Sequence, residues 1–350
     1  MIYNATGCIN KDETVTKNSS LTIEDLAKIA GVSKSTVSRA LSDSPLIALE
    51  TRQRIQTIAR ENNFCLNVAA QQLSLKKSHT IGFVTHCYNE NPSIADLFSF
   101  EITGGITNAL YDQGYNLLML HVDPHDTQWV HQYLDTGRVD GFILMTSTRK
   151  QQHIRALLAM DAPFIIWGMP WPDSNCCSVT GDNFSGGKLA TQYLLRQGKQ
   201  KIAFLGGPAE ELEVQYRFKG YEHALAQACR SIDQNRIAYG DYSLASGTQA
   251  MEQLLQKAPD LDAVFVNSDL MAIKAMEVIR KHGRRIPEDV AVVGYDNLSI
   301  AELSNPPLTT ISQNVPAVGK LLADNLIQYL QTGNVSNVTI PVELIQRQSA

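Results

Sequence analysis

The chain has 350 residues, of which 44% are hydrophobic, so two or three packed units are expected rather than a disordered or fibrous protein. It contains no run of about 20 apolar residues that could cross a membrane, and its N-terminus lacks the order of a secretion signal, which predicts a cytoplasmic location. The six cysteines include no C-x-x-C pair, so we expect reduced thiols, no metal site and no cofactor.

The net charge of −5 is unevenly distributed along the chain. Between Leu21 and His79 eight basic residues face five acidic ones, so this segment is about +3 and the remainder is about −8. A small basic segment on an acidic body indicates that one end of the protein touches a polyanion.

Residues 1–20 are polar and lack periodicity, which predicts a disordered leader. A helix is predicted from residue 22, because Thr22 and Asp25 have the spacing of an N-cap and its capping partner. Apolar residues then recur at helical spacing until Gly31, which ends the helix.

A second short helix is predicted after Ser33, its N-cap, with Val37, Ala40 and Leu41 facing inward. A third, at about Leu49 to Asn62, closes a minimal three-helix core, so we predict a helical domain at 21–66. A marginal helix and a linker are predicted at 67–79.

The second helix has the properties of a helix that enters the major groove of DNA. A helix fits that groove, and short polar side chains on its N-terminal half let the backbone approach the bases. Lys34 and Arg39 can reach phosphates or a guanine edge. The alternative is that the A-G-V-S turn only joins two packed helices, since such turns are common.

From residue 80 onward, runs rich in Val, Ile and Leu alternate with amphipathic helices, which predicts an α/β fold with mainly parallel sheets. So many βα repeats favour two lobes with a cleft between them. The predicted strands are Thr80–Thr85, Asn116–His121, Gly141–Met145, Phe164–Trp167, Lys201–Leu205, Ala263–Val266 and Val290–Tyr295.

The stretch L-T-I-E-D-L-A-K-I-A-G-V-S-K-S-T-V-S-R-A-L closely resembles the LacI/GalR family of bacterial repressors. The blocks R-F-K-G-Y, N-S-D-L-M-A and I-P-E-D-V-A-V-V-G-Y-D-N resemble the effector domain of the same family. The likeness spans about Leu21 to Gln348. It implies a fold with a periplasmic-binding-protein-like domain at 80–350, whose N-lobe takes about 80–180 and 312–336 and whose C-lobe takes about 181–311 and 337–350.

The resemblance also implies a homodimer that binds an inverted-repeat operator, with hinge helices in the minor groove. Leu73 would be the apolar wedge between central base pairs, although an ordinary linker residue is the alternative. The chain departs from the family where Ile47-Ala48 precedes the third helix, because this loses a capping hydroxyl. The predicted DNA-binding residues are Thr22, Ser33, Lys34, Ser35, Thr36, Ser38, Arg39, Asn67, Ala70 and Leu73.

In the effector domain, the resemblance places Arg217 and Asp296 in the cleft, where a forked donor and an anionic acceptor suit the vicinal hydroxyls of a sugar. A structural salt bridge between the two is the alternative. For Trp167, packing in the core and stacking on the ligand are equal alternatives. Asp269 is predicted to be a helix cap. The predicted effector-binding residues are Phe98, Ser99, Trp167, Arg217, Tyr242, Ser268, Asp296 and Gln313.

The sequence therefore predicts a non-enzymatic repressor of a carbohydrate-utilisation operon, controlled by a small sugar such as a disaccharide. It does not specify which sugar. A regulator that responds to a purine or to a partner protein is the alternative. A solute-binding protein shares the two-lobed fold, but the helical head and the missing signal sequence argue against it. An enzyme is disfavoured because no credible nucleophile or catalytic carboxylate pair is present.

Overall fold

The computed structural model describes residues 21–64, 77–85, 97–123, 126, 128–145, 151–170 and 176–350. The chain divides into two compact units, Met1–Leu75 and Lys76–Ala350. The predicted leader at 1–20 and the predicted hinge residues Asn67, Ala70 and Leu73 lie outside the described residues. None of the helices in the described ranges is long and apolar enough to cross a membrane.

The described residues of the first unit, 21–64, form three helices, α1 (Ile23–Ala30), α2 (Lys34–Leu41) and α3 (Leu49–Glu61). The predicted capping box at the start of α1 is present, and Gly31 ends that helix with a φ of 66°. At the start of α3, Ala48 makes no side-chain capping hydrogen bond, as its methyl group requires. The three helices enclose a small core of Leu26, Ala27, Ala30, Val37, Ala40, Ile55 and Ala59.

The first lobe of the second unit, here the N-lobe, is a six-stranded parallel sheet in the order β11-β5-β4-β3-β1-β2. Apolar residues cover both faces of this sheet, as expected for a parallel sheet between helices. Its elements are β1 (Thr80–Thr85), α4 (Leu97–Asp112), β2 (Asn116–His121), α5 (Trp129–Leu134), β3 (Gly141–Met145), α6 (Gln151–Ala159), β4 (Phe164–Trp167), β5 (Cys177–Gly181), α12 (Val315–Thr332) and β11 (Asn337–Ile340).

The second lobe, here the C-lobe, has a six-stranded sheet in the order β12-β10-β9-β8-β6-β7. All of its pairings are parallel except that β12 runs antiparallel to β10. Its elements are α7 (Asn183–Arg196), β6 (Ile202–Gly206), α8 (Leu212–Gln227), β7 (Ile237–Tyr239), α9 (Leu244–Lys257), β8 (Ala263–Val266), α10 (Asp269–Lys281), β9 (Ala291–Asp296), α11 (Ser299–Leu303), β10 (Thr309–Ser312) and β12 (Glu343–Ile345).

The chain passes between the lobes three times, from β5 to α7, from β10 to α12 and from β11 to β12. One predicted lobe boundary is wrong, because residues 337–340 were assigned to the C-lobe. They form β11, which pairs in parallel with Cys177–Gly181 in the N-lobe sheet. Only Ile340 of this edge strand is buried, so its sequence has no strong apolar pattern that would reveal its partner.

Helices α4 and α12 of the N-lobe pack with their backbones in contact at Gly105 and Gly319. A Cβ on Gly105 would overlap the carbonyl oxygen of Pro316, and a Cβ on Gly319 would overlap that of Ile102. Backbone atoms cannot move aside as a flexible side chain does, so the approach depends on glycine at both positions.

Gly104 and Gly105 provide a matched pair of variants in one helix. We expect Gly105→Ala to lower the free energy of unfolding by about 1–3 kcal/mol because it overpacks the contact between α4 and α12. A Cβ on Gly104 meets nothing within 4 Å, so Gly104→Ala is expected to raise the free energy of unfolding by about 0.5–1 kcal/mol. Urea denaturation measures both, and equal effects of the two substitutions would contradict the tight contact.

Candidate DNA-binding head and effector cleft

The N-terminal end of α2 carries a cluster of hydroxyl groups. Ser33 is the N-cap, and its Oγ accepts a hydrogen bond from the N–H of Thr36 at 3.2 Å. The same Oγ lies 2.8 Å from both Ser35 Oγ and Thr36 Oγ1. Ser33 and Ser35 are exposed, and a hydroxyl both donates and accepts hydrogen bonds. The cluster can therefore contact phosphate oxygens or base edges.

Three further predicted DNA-binding residues, Lys34, Ser38 and Arg39, are also exposed on α2. Lys34 forms an ion pair with Glu24 of α1, and both side chains are more than half exposed. An exposed pair of this kind contributes little to stability, so the lysine can exchange Glu24 for a phosphate at small cost. The predicted groove-facing residues of α2 thus share one accessible surface.

Thr22 has a structural role in addition to its predicted contact with DNA. Its Oγ1 donates to Asp25 Oδ2 at 2.6 Å and accepts from the N–H of Asp25 at 3.3 Å. The hydrogen bonds from Thr22 lower the pKa of Asp25. The threonine therefore caps α1, as the sequence predicted.

In the C-lobe, the Arg217 guanidinium is held on three sides. Its Nε donates to Asn183 Oδ1 at 2.8 Å and its Nη1 donates to the carbonyl of Asn267 at 2.8 Å. Its Cζ lies 3.7 Å from the centroid of the Tyr295 ring, which is a cation–π contact. Burial acts to lower the pKa of Arg217, but neighbouring groups including Asp296 outweigh it and raise that pKa. The guanidinium is therefore charged and fixed in orientation.

Asp296 lies at the end of β9 beside this guanidinium. Its Oδ1 accepts a hydrogen bond from Gln313 Nε2 at 2.7 Å. Burial raises the pKa of Asp296 to about 7, against the lowering effects of Arg217 and Gln313. No ion pair within 4 Å joins Arg217 to Asp296 in this described part of the chain, so the simple salt bridge considered from the sequence does not form. Arg217 and Asp296 remain as a separate donor and acceptor.

Tyr242 follows β7 and lies against the start of α8. Its hydroxyl donates to Glu211 Oε2 at 3.0 Å. The ring covers Gly207 so closely that a Cβ there would overlap it. Tyr242 also helps to raise the pKa of Arg217 through a coulombic interaction, so the two side chains are close enough to interact.

The roles of Ser268 and Asp269 differ from the prediction that Asp269 caps a helix. Ser268 is the N-cap of α10, and its Oγ accepts from the N–H of Met271 at 3.3 Å. Asp269 is buried and accepts hydrogen bonds from the Leu298 N–H at 2.7 Å and from Thr310 Oγ1 at 2.5 Å. Burial and the neighbouring Asp296 raise the pKa of Asp269. Asp269 therefore ties α10 to β10 and to the segment between β9 and α11 instead of capping a helix.

The N-lobe contributes an aromatic pair. Phe98 of α4 and Trp167 of β4 stack with ring centroids 5.8 Å apart and an interplanar angle of 26°. Both are only partly buried. Ser99, also partly buried, accepts a hydrogen bond from Thr103 Oγ1 through its backbone carbonyl. The structure thus brings Phe98 and Trp167 together, while Arg217, Asp296, Tyr242 and Gln313 form the polar group of the C-lobe.

Sequence reasoning missed several residues of this site. Asn183 and the carbonyl of Asn267 hold Arg217, and Leu270 and Leu298 of the C-lobe join the apolar core of the N-lobe. Asn183 directly follows the β5 strand and Asp182, a polar pair at a strand end that could have marked it. Within the described ranges, no three His, Cys, Asp or Glu side chains are placed to bind a metal ion.

Comparison with known proteins agrees with this arrangement. Residues 78–348 match the family of periplasmic binding proteins and the sugar-binding domain of the LacI family, and residues 22–67 match bacterial regulatory proteins of the LacI family. The chain is 35% identical over 327 residues to the HTH-type transcriptional regulator CelR of Thermobifida fusca, covering 93% of this chain and 95% of that protein.

Two solved structures are similar over nearly the whole chain. A CelR–cellobiose complex has a TM-score of 0.73 and 32% identity, and covers 94% of this chain and 100% of its own. The lac repressor dimer bound to operator and the anti-inducer ONPF has a TM-score of 0.81 and 28% identity, and covers 95% of this chain and 99% of its own.

A helix-turn-helix head and a two-lobed α/β domain in one chain define a ligand-responsive, DNA-binding transcriptional regulator. The chain belongs to the LacI family of bacterial regulators.

Proposed function

We propose that this protein is a cytoplasmic, homodimeric repressor of a carbohydrate-utilisation operon, released from or held on an inverted-repeat operator by a small sugar. The observation that carries this proposal is the Arg217 guanidinium, fixed by Asn183 and Asn267 beside the separate acceptor Asp296. A forked donor next to a carboxyl group suits the adjacent hydroxyls of a sugar ring. The similar structure that contains cellobiose supports the same ligand class.

The positions of these residues on the two sheets also support a ligand between the lobes. Trp167 ends β4, Asp296 ends β9 and Ser268 follows β8. Ligands of open α/β sheets bind outside the carboxyl ends of the strands, where these side chains lie. The Phe98–Trp167 stack would then offer an aromatic surface to the apolar face of a sugar, opposite the polar group of the C-lobe.

The sugar would act by shifting the population of lobe orientations, which the hinge segments pass to the DNA-binding heads of the dimer. A ligand must bind one orientation about 10⁴-fold better than the other to reverse a 1:99 equilibrium, so a few well-placed hydrogen bonds are sufficient. A regulator that responds to a purine or a partner protein is the second candidate. We propose no catalytic activity, since the relatives are regulators.

A thermal-shift screen followed by DNA binding tests the proposal. Cellobiose, ribose and a purine base are added to the purified protein, and an operator is selected from random duplexes by affinity. We expect a sugar to raise the Tm and to change the Kd of the selected duplex. If only the purine raises the Tm, the effector is a purine and the sugar proposal is wrong. If the protein prefers no duplex over random DNA, the repressor proposal is wrong.

Variants of the head test the predicted groove contacts. We expect Arg39→Ala to weaken binding of the selected duplex by about 1–3 kcal/mol, because one charged contact to a phosphate or base is lost. Arg60→Ala is the matched control, since Arg60 is an exposed arginine on α3 that bonds the carbonyl of Gln56 in its own helix. Fluorescence anisotropy at fixed salt measures both, and equal losses in the two variants would count against α2 as the reading helix.

A further inference from the structure

Among the described residues, two hydrogen bonds that join the lobes use a carboxylate as acceptor. Glu101 of α4 in the N-lobe accepts from the N–H of Ser299 in the C-lobe at 2.9 Å. Glu213 of α8 in the C-lobe accepts from the N–H of Met169 in the N-lobe at 2.7 Å. The two contacts are reciprocal, because each lobe supplies one carboxylate and one backbone donor.

All four groups lie next to the proposed effector-binding residues in the chain. Met169 is two residues after Trp167, and Ser299 is three residues after Asp296. Glu213 is one helical turn before Arg217, and Glu101 is three residues after Phe98. A rotation that moves Met169 away from Glu213 and Ser299 away from Glu101 breaks both hydrogen bonds and moves the segments that carry the proposed effector-binding residues.

We propose that Glu101 and Glu213 form a two-point latch that holds the cleft closed and acts on the same lobe equilibrium as the effector. The proposal concerns the regulation of the proposed effector cleft and rests on that function. A carboxylate is a charged acceptor, so its hydrogen bond to a backbone N–H is stronger than that of water or an amide oxygen. Both donors are backbone N–H groups and not long lysine or arginine side chains, which could follow the carboxylate as the lobes move apart. Each hydrogen bond is therefore sensitive to the separation of the lobes.

A local role is the competing explanation. Glu213 lies in the first turn of α8, where a negative charge also stabilises the helix dipole. In the same way, the only role of Glu101 would be to bond the first N–H of the short helix α11. Under a local role, removal of one carboxylate affects its own partner amide and leaves the other contact intact. In a latch, loss of either bond loosens both, because the lobes separate as units.

Hydrogen–deuterium exchange of the full-length, ligand-free dimer distinguishes these roles. We compare Glu101→Ala, Glu213→Ala and the wild type in peptides that contain Met169 or Ser299. A latch predicts that Glu101→Ala speeds exchange at Met169, and Glu213→Ala at Ser299, each by at least about threefold. Glu101→Gln and Glu213→Gln keep an acceptor oxygen and are expected to have smaller effects.

Glu222→Ala is the control for loss of a carboxylate, since Glu222 is exposed on α8. It is expected to leave both amides at the wild-type rate. Acceleration confined to the amide next to each substitution, or fast exchange at both amides in the wild type, overturns the latch. The exchange is measured without ligand, so the latch can fail while sugar binding holds, and the sugar proposal can fail while the latch holds.

Discussion

Arg217→Lys is expected to weaken binding of the sugar found in the thermal-shift screen by about 100-fold, because an ammonium cannot reproduce the planar fork of the guanidinium. Arg217 bonds Asn183 Oδ1 and the Asn267 carbonyl through two different nitrogens, whereas a lysine has one nitrogen and cannot keep this arrangement and also present a fixed donor to the ligand. One buried acceptor left unpaired would lower the free energy of unfolding by about 1–3 kcal/mol.

Isothermal titration calorimetry gives the Kd, and circular dichroism first establishes that the variant is folded. Lys219→Ala is the matched control, since Lys219 is exposed two residues further along the same helix and lies over the Tyr216 ring. It should bind the sugar as the wild type does. Wild-type affinity in a folded Arg217→Lys protein would remove Arg217 from the effector site.

Asp296→Asn is expected to flatten the pH dependence of stability between about pH 4 and 7. The pKa of Asp296 is raised from 3.8 to about 7 by burial, so the folded protein holds a proton that the unfolded chain has released across that interval. The free energy of unfolding therefore falls as the pH rises from about 4 to about 7. The full shift corresponds to at most roughly 4 kcal/mol.

The substitution is compatible with the fold because the Gln313 Oε1 atom is buried without a hydrogen-bond partner. A flip of the Gln313 amide would turn this oxygen toward the new amide and keep one hydrogen bond. Urea denaturation at several pH values measures the slope. A wild type whose stability does not fall over this interval, or an Asp296→Asn slope equal to that of the wild type, would show that Asp296 ionises normally.

Local signals explain why the head could be predicted from the sequence. The capping box of Thr22 and Asp25, the Ser33 cap and the left-handed Gly31 depend on residues within four positions of each other. The strands with continuous apolar runs were also predictable, with shifts of one residue at Ile202–Gly206 and Ala291–Asp296. Their cores are continuous runs of buried residues, which give a strong pattern.

The strands and contacts that were missed depend on distant parts of the chain. β5, β7, β10, β11 and β12 either contain polar residues or have only three positions, so they lack the continuous apolar runs that mark the equally short β4 and β8. Arg217 was identified from its motif, but its partners Asn183 and Asn267 are 34 and 50 residues away. Ser and Asp both make good N-caps, so the sequence could not show that Ser268 caps α10 while Asp269 bonds Thr310 of β10.

Because the chain passes between the lobes three times, the two lobes cannot fold one after the other during translation. Helix α12, which supplies Val318, Leu322 and Leu326 to the N-lobe core, and the edge strand β11 are translated after almost all of the C-lobe. Most of the N-lobe is synthesised first, but one of its apolar faces stays uncovered until these last segments leave the ribosome. A nascent chain that stopped after Ser312 would retain that face and would be a substrate for chaperones or proteases.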